Sequence, residues 1–181
     1  MKFQKFIYKP VFALAFLIFA SCGSSKNTGE DLIADAQQER TAIQQEYPDM
    51  AELFQSSAAY AIFPNVGKGA YVIGGASGNG VVYQNGNVIG YADLKQVDVG
   101  LQIGGQSYVE VLFFETQAAL DDFKSGTYEL GANATAVILD KGASRDIAFQ
   151  DGVAVVTKTK GGAMAGVSVG GQRFTFQPAS R

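Results

Sequence analysis

The polarity pattern of the chain begins with a short apolar run that follows three lysines. The run covers residues 11–20 and contains no polar side chain. A helix that crosses a membrane needs about 20 apolar residues, so a shorter run is typical of a signal-peptide core. Two small residues, Ala20 and Ser21, stand directly before Cys22, the one cysteine of the chain. This order predicts a lipoprotein signal peptide and lipobox over residues 1–22, with Cys22 as the lipidated first residue of the mature protein.

Acylation of Cys22 would hold the protein on a membrane, because each buried methylene contributes roughly 0.8 kcal/mol and two or more chains such as palmitate anchor stably. The alternative is an ordinary secretory signal with a free cysteine. Gly23 is compatible with sorting to the outer membrane. We therefore expect a bacterial cell-envelope location, with the periplasmic and surface faces both open. Residues 23–29 contain two glycines and no apolar side chain, which predicts a flexible tether.

Helical periodicity follows the tether. Apolar residues recur near one helix face at four positions: Leu32, Ile33, Ala36 and Ile43. The segment between Glu30 and Glu52 carries seven acids and one base, Arg40. Helices on membrane surfaces usually carry a basic polar face, so this acidic face favours a helix that packs on its own domain. Pro48 and Asp49 suit the first turn of a second helix.

After residue 63 the pattern changes to short apolar runs interleaved with glycine. Twenty of the 22 glycines lie from Gly67 onward, which is typical of twisted strands with tight connections. Asn85-Gly86 and Asp151-Gly152 each stand between two such runs and predict type I′ hairpins. Thr116 is placed to cap a helix that stops at Gly126. The runs expected as strands cover residues 81–83, 88–89, 108–114, 134–139, 147–149 and 153–156, with two more inside 164–176.

These elements predict an α+β fold with a single domain over residues 30–181, helical over 30–60 and mainly β over 63–181. The sheet is expected to be mostly antiparallel and strongly curved, or a partly closed barrel. Its strands are expected to be short and glycine-rich, with two or three amphipathic helices beside them. Closing the sheet removes exposed strand edges, which otherwise pair with other chains.

The amino-acid composition excludes several classes of catalytic and metal-binding site. The 181 residues include no histidine, which excludes Ser-His-Asp and Cys-His catalysis and imidazole-ligated zinc. Acids outnumber bases 17 to 14, and the imbalance grows without the signal-peptide lysines, so a nucleic-acid partner is not expected. Asp121 and Asp122 are adjacent on a predicted helix, so their side chains point in different directions and do not converge on one substrate. Asp93 and Asp98 flank a turn and the start of a strand. We predict no enzyme activity and no catalytic residue, metal or cofactor; a carboxylate hydrolase would need a paired, perturbed acid site in a cleft.

Three lysines are candidates for binding anionic head groups. Lys158 and Lys160 alternate on a predicted strand and so point to one face, with Thr157 and Thr159 on the other. Lys68 stands between two glycines and is expected to present its ammonium from a loop. The alternative is that lysines on an outer strand only block pairing of the strand edge.

Six sequence blocks, in order between Ala51 and Gly171, resemble the SYLF domain. This family occurs in bacterial lipoproteins and in eukaryotic membrane-trafficking and actin-patch proteins. The first block is AIFPNVGKG with GGASGNGVV, from residue 61 to residue 82, and the later blocks are VGLQIGGQ, VLFFET, ALDDF, LGANA and TKTKGGAMAGVSV.

The resemblance implies lipid binding. Eukaryotic members bind phosphoinositides and some bind actin, whereas the bacterial lipoproteins are described as lipid-binding by analogy. The chain departs from the family in having no Trp after the first hairpin, at residues 88–91, and in the acidity of its leading helix. The eukaryotic lipid-contacting helix is basic, so a phosphoinositide preference is not expected here.

In addition to the carboxylate hydrolase, two hypotheses about the function follow from the sequence. The leading one is a lipid-anchored, non-enzymatic envelope protein whose domain binds membrane phospholipid through an apolar groove between helix and sheet. The second is a structural or scaffold module that binds an envelope protein partner through its glycine-rich sheet.

Overall fold

A computed structural model describes residues 29–70, 73–131, 136–139 and 147–179 of the protein, without the side chains of residues 101–102 and 163–170. The predicted signal peptide and lipobox, and the tether up to residue 28, lie outside the described residues. Gly29, predicted as the last residue of the tether, instead begins the first helix.

The described residues form three helices: α1 Gly29–Glu46, α2 Asp49–Ser56 and α3 Gln117–Lys124. The apolar stripe of α1 is buried against the sheet at Leu32, Ala36 and Ile43, so the acidic helix packs on its own domain as expected. Thr116 caps α3 as predicted, because its hydroxyl oxygen accepts a hydrogen bond from the Ala119 N–H at 3.2 Å. Within the described ranges, no helix is both long and apolar enough to cross a membrane.

The strands of the described chain form one sheet: β1 Ala59–Ala70, β2 Ile73–Gln84, β3 Asn87–Phe114, β4 Thr127–Leu130, β5 Ala136–Ile138 and β6 Val153–Pro178. The strands pair in antiparallel fashion except β5 and β6, which are parallel. Asn85-Gly86 joins β2 to β3 with φ values of 52° and 77°, which confirms the type I′ turn. Asp151-Gly152 makes the same turn before β6, with φ values of 51° and 77°.

β3 and β6 are much longer than the short strands expected from the sequence, at 28 and 26 residues. The first half of β3 pairs with β2 and its second half with β1, while β1 and β2 also pair with each other. β6 follows β3 along nearly its whole length. When the two halves of β3 and of β6 are counted separately, the sheet contains eight strand segments curled into a half-barrel, which confirms the α+β class with a strongly curved sheet.

The expected strands at 88–89 and 108–114 are parts of β3, and both strands expected inside 164–176 belong to β6. Glycine permits this continuity, because Gly104 and Gly162 adopt positive φ values of 134° and 91° that let the long strands bend without ending. The run 147–149 forms no strand and leads only to an isolated bridge between Gln150 and Val153.

Alternating side chains build a hydrophobic core on each face of the sheet. On the concave face, Phe123 of α3 packs against Phe174 of β6, with ring centroids 5.9 Å apart. On the convex face, Phe54 of α2 packs edge-on against Phe113 of β3 at 4.8 Å. The helices thus cover the half-barrel from both sides, and the concave side retains an internal space.

Candidate functional site

The concave face of the half-barrel holds a partly open cavity of about 330 Å³. One wall is polar and comes from β1, β3 and β6: Lys68, Gln96, Gln106, Tyr108, Glu110, Thr157, Thr159 and Gln172. Leu130 and Ile138, from the edge strands β4 and β5, form part of an apolar wall. A cavity of this size and mixed lining suits a small molecule rather than an acyl chain.

Five polar side chains at this cavity form a continuous series of contacts. Lys68 Nζ lies 2.8 Å from Oδ2 of Asp98. Asp98 Oδ1 accepts a hydrogen bond from Gln96 Nε2 at 2.7 Å. Gln172 Nε2 lies within hydrogen-bond distance of two acceptors, Gln96 Oε1 at 3.1 Å and Glu110 Oε2 at 2.9 Å. Strand pairing builds this network, because its members come from β1, β3 and β6.

Glu110 is the fully buried acid of this network. Burial raises its pKa from 4.5 to about 7, against the opposing effects of the Gln172 hydrogen bond and the Lys68 charge. Its Oε1 atom has no hydrogen-bond partner among the described residues. Burial, followed by the charges of Glu110 and Asp98, also raises the pKa of Tyr108. An unpaired buried carboxylate oxygen destabilises the fold unless a donor reaches it.

Lys158 and Lys160 project from β6 toward α1, whereas Thr157 and Thr159 line the cavity, so the predicted alternation is confirmed. Lys158 Nζ lies 3.2 Å from Oε2 of Glu46 and 4.0 Å from Oε2 of Glu39. Lys160 Nζ lies 2.8 Å from Oε1 of Glu39 and donates a hydrogen bond to the Pro64 carbonyl oxygen at 3.1 Å. The acidic face of α1 thus pairs with both lysines.

Lys68 lies within β1 and not in a loop, which corrects the expectation from the sequence. The flanking glycines do not break the strand, because Gly67 and Gly69 pair with both β2 and β3. The Lys68 side chain is 13% exposed and points toward Asp98. A head-group role for Lys68, Lys158 and Lys160 stays a prediction, and each of the three already contacts a carboxylate.

The acids weighed as catalytic groups lie in different surroundings. Asp121 is exposed on α3, where a hydrogen bond from Lys124 at 2.8 Å lowers its pKa. Asp93 accepts a hydrogen bond from Gln177 at 3.3 Å, away from the main cavity. Asp98 alone of these acids joins the cavity network. The described part of the chain contains no group of three or more side chains placed to hold a metal ion.

Four large apolar side chains, between 63% and 70% exposed, lie on β2 and β3: Ile73, Val97, Val99 and Ile103. We call these residues the apolar tip. Ile73 pairs with Val99, and Val97 stands two residues before it, so alternation places Val97 and Val99 opposite the buried Asp98. Single exposed apolar side chains are common, but a cluster of them marks a contact surface.

The sequence predicts an apolar groove between helix and sheet, but the larger cavity lies elsewhere, on the concave face. Ala36 and Ile43 of α1 are fully packed against the convex face. Near the start of α1 a second cavity of about 190 Å³ is lined by Leu32 together with polar groups such as Asn79 and Gln177. Among the described residues, the apolar tip instead groups four of the five large apolar side chains that are exposed.

Sequence reasoning missed Glu110 as a site residue. It is the one charged residue within the apolar run 108–114, and a charge inside such a run is the signal that could have identified it. Its partners could not be found in this way, because Gln172 stands far along the chain and meets Glu110 only when β6 pairs with β3.

Fold and cavity together define a curled-sheet α+β domain with a polar interior and an exposed apolar tip. Residues 95–179 match the Ysc84 family model, described as a Las17-binding protein actin regulator. This is the SYLF domain family, and the match, which spans most of β3 together with α3 and β4 to β6, confirms the resemblance. The similarity to this family is thus shown over residues 95–179, and the first block of the resemblance, at residues 61–82, lies outside the match. The search of curated proteins returned no match.

Proposed function

We propose that the protein is a lipid-anchored component of the bacterial cell envelope whose SYLF domain contacts membrane lipid without catalysing a reaction. Cys22 is the proposed acylation site, and the tether after it lets the domain reach the membrane surface. The apolar tip carries the proposal for the domain itself, because its side chains stay exposed in the folded protein. Immersion of such side chains in a bilayer removes apolar surface from water.

The surroundings of the tip favour a membrane surface as its partner. Lys95 is exposed two residues before Val97, on the same face of β3, where its ammonium can meet a lipid phosphate. The tip also lies outside the part of the convex face that α1 and α2 cover around Tyr60 and Phe113. The domain can therefore touch a bilayer without displacing its helices.

The two acids at the cavity, Asp98 and Glu110, support a function without catalysis. Asp98 is already bound to Lys68 and Gln96, and Glu110 is fully buried. Hydrolysis by two carboxyl groups requires that both face a substrate and a water molecule across a cleft. Among the described residues that line the cavity, Glu110 is the one acid, and the nearby Asp98 is held by Lys68, so no second free carboxyl group faces Glu110 across the cavity.

A second candidate function uses the same surface. The apolar tip can also bind an envelope protein, which would make the domain a scaffold module held at the membrane by its acyl chains. The Ysc84 family description names a protein partner, Las17, for the proteins it was drawn from. Crosslinking in cells followed by identification of a reproducible partner tests this candidate.

Vesicle co-sedimentation tests the lipid proposal. A chain that begins at Gly23 lacks the anchor and keeps both cores complete, since their residues start at Leu32. We expect it to bind neutral and anionic vesicles with only a small salt dependence from Lys95, because apolar contact is not screened by ions. Val97→Ser with Val99→Ser should weaken binding about 30-fold, since burying each of the two valines contributes roughly 1 kcal/mol or more.

Ile138→Ser is the matched control in vesicles without phosphatidylethanolamine, because Ile138 is 57% exposed but lies on β5, at the cavity and not on the tip. Equal loss of binding in the control would show that exposed apolar surface in general, and not the tip, contacts the vesicle. Failure of the unsubstituted chain to bind any vesicle would leave the scaffold function as the surviving candidate.

A further inference from the structure

We propose that the cavity on the concave face binds a small primary ammonium group, with the Glu110 carboxylate as its counter-ion. This site is separate from the apolar tip and does not depend on the lipid proposal. The argument rests on the charges, the hydrogen-bonding atoms and the shape of the cavity wall.

The charges around the cavity leave one carboxylate without a cation. Lys68 and Asp98 form an ion pair at 2.8 Å and neutralise each other. Glu110 receives only the uncharged Gln172 amide, at its Oε2 atom, and Oε1 has no partner among the described residues. A bound cation would compensate this charge in a region where water does not. A neutral hydroxyl group would satisfy the oxygen and leave the charge uncompensated.

The neighbours of Glu110 suit an ammonium group, which carries three N–H donors and no acceptor. Thr157 stands directly across from Glu110 on β6, and Tyr108 lies two residues earlier on the same face of β3. Both residues line the same cavity as Glu110, and a hydroxyl oxygen can accept a hydrogen bond from an ammonium group. Because Glu110 is fully buried, the ligand must displace the side chains that close the wall over it, and Thr157 is only half-buried.

The remaining wall limits the size and polarity of the ligand. Leu130 and Val155 offer an apolar surface to a short carbon chain. The volume of about 330 Å³ suits a small amine that consists of the ammonium group, a few carbon atoms and a polar end. Such a group is found both in soluble amines and in the ethanolamine head group of a phospholipid, and these two sources share the same recognition chemistry.

Binding to the ionised form of Glu110 makes the affinity depend on pH. Lys68 from β1 and Asp98 and Tyr108 from β3 are the other titratable side chains at the site, whereas β4, β5 and β6 contribute only uncharged ones among the described residues. Since burial raises the pKa of Glu110 to about 7, the carboxylate ionises between pH 6 and pH 8. The affinity for a cation should rise about tenfold across this interval.

Isothermal titration of the chain that begins at Gly23 tests the proposal, with ethanolamine as the probe and ethylene glycol as its neutral counterpart of similar size. We expect ethanolamine to bind, to bind about tenfold more tightly at pH 8 than at pH 6, and to outcompete ethylene glycol. Ethylene glycol binding as tightly as ethanolamine would overturn the proposal, and so would the absence of ethanolamine binding at pH 8.

Glu110→Gln keeps the shape of the side chain and removes its charge, and should weaken ethanolamine binding at least tenfold. Glu129→Gln is the control, because Glu129 is exposed and pairs with Arg173 outside the cavity. If Glu110→Gln does not fold, Thr157→Val takes its place and should lower the affinity severalfold through loss of one acceptor. Unchanged binding in the folded Glu110→Gln or Thr157→Val variant would contradict the site.

Vesicles distinguish the two sources of the ammonium group. A preference for phosphatidylethanolamine over phosphatidylcholine that Glu110→Gln abolishes would identify a lipid head group, because the quaternary choline has no N–H donor. Ethanolamine binding without such a preference would identify a soluble amine. Substitutions in the apolar tip should weaken binding to both vesicles alike, so failure of the lipid proposal and failure of the cavity proposal give different results.

Discussion

Lys160 Nζ lies 2.8 Å from Oε1 of Glu39, and this contact ties strand β6 to helix α1 across the convex face. Lys158 reaches the same carboxylate at 4.0 Å and Glu46 at 3.2 Å. The two lysines that the sequence marks for anionic head groups are therefore engaged by the acidic helix. The acidity of α1, which is unusual for a helix close to the anchor proposed at Cys22, has a structural role here.

Neutralising Glu39 should release part of this positive charge. In Glu39→Gln, Lys160 loses its carboxylate partner and Lys158 loses the more distant of its two. We expect a severalfold increase in binding to anionic vesicles that high salt removes, and a loss of about 0.5–1 kcal/mol in the free energy of unfolding. Co-sedimentation at low and high salt measures the first effect, and urea unfolding measures the second.

Glu52→Gln is the matched control for Glu39→Gln. Glu52 is exposed on α2, so its substitution makes the same change in net charge without opening the Lys160 contact. An equal increase in vesicle binding in both variants would assign the effect to net charge alone. It would contradict the idea that α1 restrains the lysines.

The two type I′ turns offer a comparison between backbone strain and packing. Gly86 and Gly152 have the same positive φ of 77°, but a Cβ at Gly86 meets open space while one at Gly152 lies 3.0 Å from the Ala119 Cβ. Gly86→Ala should lower the free energy of unfolding by about 1 kcal/mol, and Gly152→Ala by about 2 kcal/mol. Urea unfolding of both variants gives the difference, and equal losses would mean that α3 yields freely to the added methyl group.

These turns also show which features follow from sequence alone. Asn85-Gly86 and Asp151-Gly152 were predictable because a type I′ turn depends on the conformational freedom of two adjacent residues. The cap at Thr116 was predictable for the same reason, since its partner is the Ala119 N–H three residues away. Local chemistry decides both features, so distant strands have little influence on them.

The course of the long strands and the cavity network were not predictable in this way. Glycines within 100–105 suggest a break, but β3 continues through them because β6 pairs with it on both sides of the bend, with β2 beside its first half and β1 beside its second. Lys68 and Asp98 meet only because β1, β2 and β3 pair with each other. Pairing between distant strands decides these features, and this pairing cannot be predicted from the periodicity of a single segment.

Stability should depend on pH through Glu110. Its pKa rises from 4.5 to about 7 on folding, so between these values the folded state binds a proton that the unfolded state has lost. The Glu110 contribution to stability is therefore most favourable at low pH and declines as the pH rises toward 7. The unfolding free energy of the unsubstituted chain, relative to Glu110→Gln, should fall by about 2–3 kcal/mol between pH 4.5 and pH 8.

Urea unfolding at several pH values measures this relative stability, and the comparison with Glu110→Gln cancels the titration of all other groups. Glu129→Gln serves again as the control, because an exposed acid should give no such slope. A relative stability that stays flat or rises with pH would show that Glu110 is ionised at low cost in the folded protein.

The anchor and the domain should make separable contributions to membrane association. We expect the unsubstituted chain to incorporate labelled palmitate and to sediment with membranes, whereas Cys22→Ser should incorporate none. The mass of the Cys22→Ser product must be measured as well, because an uncleaved chain would stay on the membrane through its apolar run at 11–20. If the cleaved, unacylated product still sediments, the domain supplies the affinity, and Val97→Ser with Val99→Ser should then release it. Palmitate incorporation in Cys22→Ser would instead exclude Cys22 as the sole site of acylation.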